Sequence, residues 1–554
     1  MTDYFAGTRK GKYDLSDDYH EVGIKPFLWC FVSAFVIITI CSKSSFLYVF
    51  NVWDDANSYL TVGKCIFRGF VPYRDLFDQK GIMLYFIYGI ASFISATTFR
   101  GVFVMEVIAA CFTLYAILKI YQLFLEPSSF PYILTPITGA VIYSAISFYW
   151  GGSAEEFLFP FIMWGMYFSV RYFRTGYPEA MDYGTVLKAG VLAGCVLNIK
   201  FNSLGFFFAW MAMVFLADII GERQIGRAII SCAVFLGGMF ASTLPWIIYF
   251  GVNRAIKDWL YVYIYKNVFE YSEKMSLGQR FVRLYSILKD HALNNKLVYI
   301  LIFIGIVYFI ASTISTNLYE DRYTIARRNR FFLEVSVMEL INLGALFAFL
   351  VIGIFIGGVS LPYYSFPISG FVVFGFVPFC YIIEKFLKRN IEKNTHGRSY
   401  NGAIMDSSVA FALSIISFVA AVALVWLSSV NVKFMRVKAD ELWLYKFRDY
   451  IAQSGVEDPG LIVEFTFDVG LYTVLDIEPI CYYFQTQTLN MTEVLEYQKQ
   501  YLHSGEADFV VTCDLPAEGT GNLYDLVLEQ RCQFYDFDHI YYLYQRNDTP
   551  VEEQ

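Results

Sequence analysis

Charged side chains are concentrated in one short polar stretch that follows the first long apolar run of the chain. The stretch covers residues 51–81 and contains Asp54, Asp55, Arg74, Asp75, Asp78 and Lys80. Charged groups at the mouth of a membrane bundle are costly unless they are paired or solvated, so their clustering indicates a functional site. A carboxylate can accept the proton of an attacking hydroxyl. Lysine and arginine can hold a phosphate where negative charge develops as it leaves.

These residue types therefore suit glycosyl transfer from a phosphate-linked donor. A phosphate leaves without being protonated, so one base and fixed cations would suffice. The alternative is a hydrophilic loop in which acids and bases only pair with each other.

Composition places the chain in a membrane. Of its 554 residues, 57% are hydrophobic and only 17% are charged. Several apolar runs exceed the roughly 18 residues that indicate a spanning helix. The net charge of −8 divides unevenly, because residues 431–554 hold 8 basic and 22 acidic residues while the remainder holds 34 basic and 28 acidic. An acidic tail and a mildly basic membrane region indicate two regions, with membrane lipids and no nucleic acid as partners.

The apolar runs predict a mainly α polytopic membrane protein with about 11 transmembrane helices. The predicted spans are 26–50, 101–125, 131–150, 157–173, 186–200, 201–220, 228–250, 297–316, 335–357, 363–384 and 404–428. The apolar segment 82–98 is left out because of the positive-inside rule. With a cytoplasmic N-terminus, leaving it out puts four basic segments inside, around Arg171, Arg223, Arg327 and Lys388. Segment 82–98 then becomes a juxtamembrane or re-entrant helix of a first outer loop at 51–100.

The same topology gathers other polar residues on the outer face. They are Glu155 and Glu156, the turn with Lys200 and Asn202, and the pair Tyr363 and Tyr364. Each has a structural alternative. The glutamates could cap a helix start, Lys200 could extend to lipid phosphates, and the tyrosines could be interfacial anchors.

The tail from 431 onwards predicts a small α/β domain outside the cytoplasm. Helices are expected over Ala439–Ser454, Thr492–Leu502 and Leu523–Glu529, and strands over Leu461–Phe465, Phe509–Thr512 and Ile540–Tyr544. The ten cysteines are scattered without a CxxC pair, and the five histidines stand apart, so zinc and haem signatures are absent from the sequence. Asp54 and Asp55 with Glu155 and Glu156 could hold Mg²⁺ or Mn²⁺ through oxygen ligands.

Five segments resemble motifs of one family. They are Asp55-Ala-Asn with the downstream Gly69-x-x-Pro-Tyr73-Arg74-Asp-x-x-Asp-Gln-Lys80-Gly81, Gly152-Ser-Ala-Glu155-Glu156-Phe, Asn198-Ile-Lys200-Phe-Asn202, Leu361-Pro-Tyr363-Tyr364, and Pro479-Ile-Cys-Tyr482-Tyr483-Phe484. They are similar to bacterial membrane glycosyltransferases of the GT-C superfamily, the relatives of protein O-mannosyltransferases and aminoarabinose transferases. The resemblance covers nearly the whole chain.

The resemblance implies roles for these residues. Asp55 would be the general base, and Lys80, with Arg74 nearby, would hold the donor phosphate. Glu155 or Glu156 would be a second acid that orients the acceptor or a divalent ion. Tyr73 and Tyr85 would lie near sugar or lipid, and Lys200, Asn202, Tyr363 and Tyr364 would complete the substrate-binding set. The donor would be a polyprenyl-phosphate sugar and the acceptor a glycan, lipid or protein hydroxyl.

Three details qualify the match. Ile82 follows Gly81 at a position where proline is common in the family. Pro362 stands where a histidine is common, so no residue at this position can take the role of that histidine. Asp54 and Asp55 differ by one residue of register, and the spacing to Pro72 favours Asp55.

The resulting prediction is a plasma-membrane protein with three regions: a cytoplasmic tail at 1–25, a GT-C-like catalytic domain at 26–430, and an extracytoplasmic domain at 431–554. Two alternatives stay open. A transporter or flippase for lipid-linked glycans would show internal repeats and polar interruptions at mid-membrane, and the chain has no evident repeat. A glycan polymerase or ligase on a different membrane fold would need no acid pair in its first loop.

Overall fold

A computed structural model describes most of the chain. The described residues are 24–125, 129–221, 223–271, 273–318, 331–394, 407–463, 468–485, 492–514, 523–532 and 538–547. Most of the predicted N-terminal tail and the basic positions around Arg327 and at Arg398 lie outside them.

Helices dominate the described residues. The first nine α-helices are α1 (Ile24–Cys41), α2 (Asp54–Ile66), α3 (Ile82–Ser92), α4 (Arg100–Phe124), α5 (Phe130–Tyr143), α6 (Ala154–Arg171), α7 (Tyr183–Leu197), α8 (Gly205–Ile220) and α9 (Ile225–Val252). The next nine are α10 (Ile256–Trp259), α11 (Leu277–Asn294), α12 (Lys296–Leu318), α13 (Val337–Phe355), α14 (Val372–Asn394), α15 (Ser407–Ser428), α16 (Trp443–Gln453), α17 (Gly470–Leu475) and α18 (Thr492–Ser504). A short 3₁₀ turn precedes α8 (Phe201–Leu204), a 3₁₀ helix of 10 residues precedes α14 (Pro362–Phe371), and a π-helix follows α10 (Leu260–Glu270).

The helices confirm a multi-pass membrane protein. Among the described residues, 8 helices are long and apolar enough to cross a membrane: α1, α4, α8, α9, α12, α13, α14 and α15. The other three predicted spans are helices α5, α6 and α7, which are shorter or less apolar. The first predicted span, 26–50, is too long, because α1 ends at Cys41 and residues 42–50 form turns such as the Ser45 N–H to Ser42 carbonyl bond.

The segment 82–98 does not form a span. Its helix α3 has 11 residues and is therefore about 16 Å long, roughly half of the hydrocarbon thickness of a bilayer. A short helix at this place agrees with the juxtamembrane helix that the charge pattern predicted.

The chain divides into two compact units. Among the described residues, the first comprises residues 24–41, 106–245 and 274–432. Within it, α8 packs on α13, α12 on α14, α5 on both α1 and α15, and α6 on α7. The second comprises residues 42–105, 246–273 and 433–554. The first loop and the tail, which the sequence assigned to separate domains, therefore belong to one compact unit.

In the second unit, α2 and α3 approach each other with little space between their backbones. A Cβ on Gly63 would stand 2.6 Å from the backbone nitrogen of Gly89, and one on Gly89 would stand 2.6 Å from the Gly63 carbonyl oxygen. Only glycine allows that contact. The crossing fixes the start of α2 relative to the residues that lead into α3.

Tail residues hold the other face of α2. The Lys64 ammonium is buried and donates to the Tyr472 carbonyl at 2.7 Å and to Asp476 at 3.1 Å. Arg68 pairs with Asp476 at 2.6 Å and with Glu478 at 2.7 Å. A buried ammonium needs such partners to offset its lost hydration, so the tail and α2 stabilise each other.

The tail carries a four-stranded sheet of order β1-β2-β4-β3. The strands are β1 (Leu461–Val463), β2 (Phe509–Cys513), β3 (Tyr524–Cys532) and β4 (His539–Arg546). β1 and β2 are parallel, and β4 runs antiparallel to β2 and β3. One face packs in a core with Leu502 of α18 and Tyr544. Tyr541 points to the opposite face, as alternation along a strand requires, and stacks on Trp443 of α16 at 4.0 Å.

The predicted helix over Leu523–Glu529 is wrong, because these residues begin β3. Pairing with β4 satisfies their backbone groups, and a bulge between Leu526 and Leu528 breaks the two-residue alternation that marks a strand in sequence. The other predicted tail elements are present: α18 and β2 match closely, α16 starts at Trp443 after a 3₁₀ turn, and β4 extends further than predicted. The predicted strand Leu461–Phe465 is present as β1 over Leu461–Val463, and its last two positions lie outside the described residues.

The contact between α2 and α3 yields a stability prediction. Gly63→Ala should destabilise the purified protein by about 1–3 kcal/mol, because the new Cβ overpacks against backbone atoms that cannot rotate away. The measurement is thermal unfolding in detergent. Gly237→Ala in α9 is the control, since a Cβ there meets open space and should be neutral or stabilising by about 1 kcal/mol or less. Equal melting temperatures for both variants would show that α2 and α3 do not depend on this contact.

Candidate functional site

Asp54 and Asp55 occupy the first turn of α2. The helix begins after Trp53, whose backbone is extended, and carboxylates at a helix start are favoured by the positive end of the helix dipole. Both side chains are half-buried. The start of α2 thus presents two adjacent acids that differ in their neighbours.

Asp55 faces Lys80. The Lys80 Nζ lies 3.7 Å from the Asp55 Oδ2, and it stands over the Tyr59 ring at 5.4 Å from the ring centre. The structure therefore brings together the predicted base and the predicted phosphate-binding lysine, as the resemblance of the first loop implied. It also favours Asp55 over Asp54 as the partner of Lys80.

Two buried tyrosines fix the backbone of Lys80. The Tyr73 hydroxyl donates to the Lys80 carbonyl at 2.6 Å, and the Tyr85 hydroxyl accepts from the Lys80 N–H at 2.8 Å. Tyr73 has a positive φ of 70°, and its N–H donates to the Leu76 carbonyl. Both tyrosines were predicted near sugar or lipid. In the structure they are 1% and 0% exposed and position Lys80.

Arg74 is engaged by its neighbour. Its guanidinium donates to Asp75 at 2.7 Å and to the Asn253 carbonyl at 2.9 Å, while Asp75 accepts from the Val71 N–H. This network stabilises the turn before Lys80. A role for Arg74 beside the donor phosphate stays a prediction.

Asp78 is an acid that the sequence placed in the cluster without a role. Burial raises the pKa of its carboxyl to about 6, against the lowering effect of Lys80, and Asp55 raises it further. Its side chain also bonds to the Gln79 N–H and to Tyr85. Asp78 is therefore a buried carboxyl within the electrostatic field of the Asp55–Lys80 pair.

The tail supplies a further acid, Asp468, that sequence reasoning missed. Burial raises the pKa of Asp468 to about 6, and its carboxylate accepts from the Gly470 N–H at 3.2 Å and the Tyr541 hydroxyl at 3.4 Å. Burial, Asp468 and Asp55 together raise the pKa of Asp54 well above its usual value. The one available signal was that Asp468 is one of two acids in the apolar segment that leads into α17. We call Asp54, Asp55, Asp78, Lys80 and Asp468 the first-loop cluster.

The acids of the first-loop cluster carry the oxygen donors that a divalent cation binds. Carboxylate oxygens are the ligands that Mg²⁺ and Mn²⁺ prefer, and a dication would offset the repulsion between Asp54 and its acidic neighbours. Asp55 already pairs with Lys80. A bound dication would therefore relieve repulsion mainly between Asp54 and Asp468.

The first unit holds a second group of predicted residues, Glu155, Lys200, Tyr363 and Tyr364, which we call the Glu155 cluster. The Lys200 Nζ lies 2.5 Å from the Glu155 Oε1 and stands over the Tyr364 ring at 3.6 Å and the Tyr363 ring at 5.7 Å. Lys200 is 13% exposed and Glu155 2%. Four predicted site residues from three separate segments therefore meet in one buried group.

Glu156 and Asn202 have local roles in the structure. Glu156 caps the start of α6: its N–H donates to the Ser153 hydroxyl at 3.0 Å, and its carboxylate accepts from the Gly152 N–H at 2.8 Å. Asn202 is half-buried in the 3₁₀ turn after Lys200 and accepts from the Ser203 hydroxyl at 3.4 Å. A catalytic role for Glu156 and a binding role for Asn202 stay predictions.

A histidine lies beside the segment where the family pattern lacks one. His291 of α11 makes a 2.8 Å hydrogen bond through its Nε2 with Ser360, two residues before Pro362. Burial lowers the pKa of His291 to about 4, so the ring is neutral at physiological pH. No pattern in the sequence indicated this neighbour, because His291 is 71 positions away from Pro362 in an amphipathic helix.

Comparisons with known proteins bear on the fold. No protein-family model matches the chain, and no curated protein matches it. Among solved structures, ArnT from Cupriavidus metallidurans bound to undecaprenyl phosphate has a TM-score of 0.55 and 10% sequence identity, covering 94% of this chain and 97% of ArnT. The apo form of ArnT from the same organism has a TM-score of 0.55 and 11% sequence identity, covering 93% of this chain and 97% of ArnT. The archaeal oligosaccharyltransferase AglB from Archaeoglobus fulgidus has a TM-score of 0.43 and 11% sequence identity, covering 88% of this chain and 69% of AglB.

At sequence identities of 10% and 11%, the similarity to the ArnT structures shows the fold alone. The match extends over nearly the full length of both chains, membrane helices and tail included. The chain therefore has the fold of ArnT, a GT-C glycosyltransferase.

Proposed function

We propose that the chain is an integral membrane glycosyltransferase that moves a sugar from a polyprenyl-phosphate-linked donor to an acceptor hydroxyl at the outer face of the membrane. The observation that carries the proposal is the Asp55–Lys80 pair at 3.7 Å, held at the start of α2 in a chain with the ArnT fold. Undecaprenyl phosphate, the ligand named for ArnT, is the chemical class of leaving group that such a lysine would hold.

In the proposed reaction the acceptor oxygen attacks the anomeric carbon while Asp55 takes its proton. The bond between the anomeric carbon and the phosphate oxygen breaks, and the electron pair leaves with the phosphate. Lys80 stabilises the charge that develops there. Its backbone is anchored at both N–H and carbonyl by Tyr85 and Tyr73, so little reorganisation is needed as the charge moves.

The remaining acids have supporting roles. A divalent cation held by Asp54 and Asp468 would supply additional positive charge for the leaving phosphate. The Glu155 cluster of the first unit is a second proposed binding group, in which Glu155, Lys200, Tyr363 and Tyr364 contact sugar or lipid.

The first test is the base. Asp55→Asn should lower turnover by roughly 10²–10⁴-fold with little change in stability, because Asn keeps the size of Asp and removes the proton acceptor. Turnover is measured with the purified protein in detergent and a panel of synthetic polyprenyl-phosphate sugars, with products detected by mass spectrometry. The exposed Asp449→Asn is the matched control and should retain full activity. If Asp55→Asn turned over at the wild-type rate, Asp55 would not be the base.

The second test is the phosphate contact. Lys80→Gln should reduce kcat/KM for the lipid-phosphate donor on the order of 10²-fold, since it removes a charge that interacts most strongly with the leaving phosphate. Lys446→Gln, which changes an exposed lysine bonded to Gln530, should have no effect. A Lys80→Gln enzyme with unchanged donor kinetics would contradict the assignment. Turnover of wild-type protein in detergent also separates an enzyme from a flippase, which has no membrane to act across.

A pH prediction follows from Asp78. Its folded-state pKa of about 6 exceeds the unfolded value of about 3.9, so the folded protein binds this proton more tightly. The proton on Asp78 contributes its full stabilisation of the folded state below about pH 4, and this contribution is lost as pH rises through 6. Asp78→Asn should therefore stabilise the protein near pH 7.5 by up to about 3 kcal/mol, with the gain shrinking toward pH 4. Thermal unfolding of both proteins at several pH values measures this difference in stability. A stability gain of Asp78→Asn that did not change with pH would contradict the burial of an ionised carboxylate.

A further inference from the structure

Three metal-ligating side chains meet at one end of the tail sheet, where nothing in the proposed reaction uses them. Cys513 is the last residue of β2, Asp514 follows it, and His539 is the first residue of β4. The cysteine sulfur, an Asp514 carboxylate oxygen and a His539 ring nitrogen all lie within 4.8 Å of one another. We call these residues the Cys513 cluster.

Backbone contacts hold the cluster in place. Asp514 has a positive φ of 61°, which turns its carboxylate back toward β4. Its N–H donates to the Ile540 carbonyl at 2.7 Å, and its Oδ1 accepts from the Ile540 N–H at 2.9 Å. Its Oδ2 lies 2.5 Å from the Nδ1 of His539. Both strand ends are therefore fixed before any ligand arrives, which is the preorganisation that a metal site needs.

The donor set indicates the class of metal. A thiolate and an imidazole together are typical ligands of zinc and similar transition-metal dications, while Mg²⁺ and Ca²⁺ prefer oxygen alone. Ligand atoms around tetrahedral zinc are roughly 3.5 Å apart, so the cluster needs only a small contraction. The Asp514 and His539 side chains are 47% and 39% exposed, so an ion and a completing water can enter from solvent.

The charges of the surroundings favour a cation. Asp468 acts on both His539 and the Cys513 thiol through its negative charge, and Asp514 adds a second carboxylate next to the sulfur. A dication would offset this negative charge and the further charge of the thiolate.

We propose that Cys513, Asp514 and His539 bind a transition-metal dication of the zinc class. The Cys513 sulfur forms a bond to the metal as its S–H proton passes to solvent. Asp514 gives a carboxylate oxygen and His539 a ring nitrogen, and water fills the open position. The bound ion ties the end of β2 to the start of β4. It also fixes the strand that carries Tyr541, whose hydroxyl donates to Asp468, so metal occupancy stabilises the tail side of the first-loop cluster.

The test uses Co²⁺ as the probe on the full-length, untagged protein in detergent, after metal removal with a chelator. Co²⁺ should bind one per chain and give the near-ultraviolet thiolate-to-cobalt absorption band, which Zn²⁺ abolishes by competition. Cys513→Ser should remove the band, and Asp514→Asn or His539→Gln should weaken Co²⁺ binding by on the order of tenfold or more.

Cys532→Ser is the matched control. Cys532 pairs with His539 across β3 and β4 but is not one of the three clustered ligands, so its loss should leave the band intact. Unchanged melting of each metal-free variant shows that the sheet has folded. A wild-type protein without a thiolate band, or a band that survives Cys513→Ser, would overturn the proposal. Neither result bears on the glycosyltransferase activity, which has its own assay.

Discussion

The close approach of α2 and α3 at Gly63 and Gly89 is the constraint on which the candidate site depends. Without side chains between them, the two backbones are in direct contact. That contact sets where Asp55, at the start of α2, stands relative to Lys80, just before α3. The Lys80 and Asp55 side chains are only 11% and 28% exposed, and an ion pair this far buried is weak evidence for stability because the lost hydration offsets the attraction. The precision with which Tyr73 and Tyr85 hold the lysine backbone is therefore better explained by a function than by folding.

The tail completes this arrangement within the same compact unit. Salt bridges from Lys64 and Arg68 hold tail residues along α2, and burial together with Asp468 raises the pKa of Asp54. Carboxyl groups that share a buried position are unfavourable unless a proton or a cation relieves the repulsion. Asp54, Asp78 and Asp468 all show raised pKa values. The fold thus tolerates a concentration of acid at one place, as catalytic and cation-binding sites do.

The sequence predicted the membrane class, the short α3 helix and most tail elements, because these depend on local patterns: long apolar runs, basic segments and strand alternation. It also predicted that Asp55 and Lys80 would meet, on the resemblance of the first loop. It failed where partners come from distant positions. Asp468 lies 414 residues after Asp54, and β3 was taken for a helix because its strand signal depends on pairing with β4 and is broken by a bulge. The hydrogen bonds by which Tyr73 and Tyr85 hold the Lys80 backbone were missed for the same reason. In a sequence, a tyrosine that anchors a backbone cannot be distinguished from one that stacks on a sugar.

The most direct measurement of the central claim is a double-mutant cycle between Asp55 and Lys80, read as kcat/KM for a lipid-phosphate sugar donor in detergent. If the two side chains act on one reacting centre, Asp55→Asn and Lys80→Gln will each be severe, and the double variant will lose far less than the product of the two effects. Losses that multiply as for independent sites, or turnover untouched by either change, would contradict a shared catalytic pocket at the start of α2.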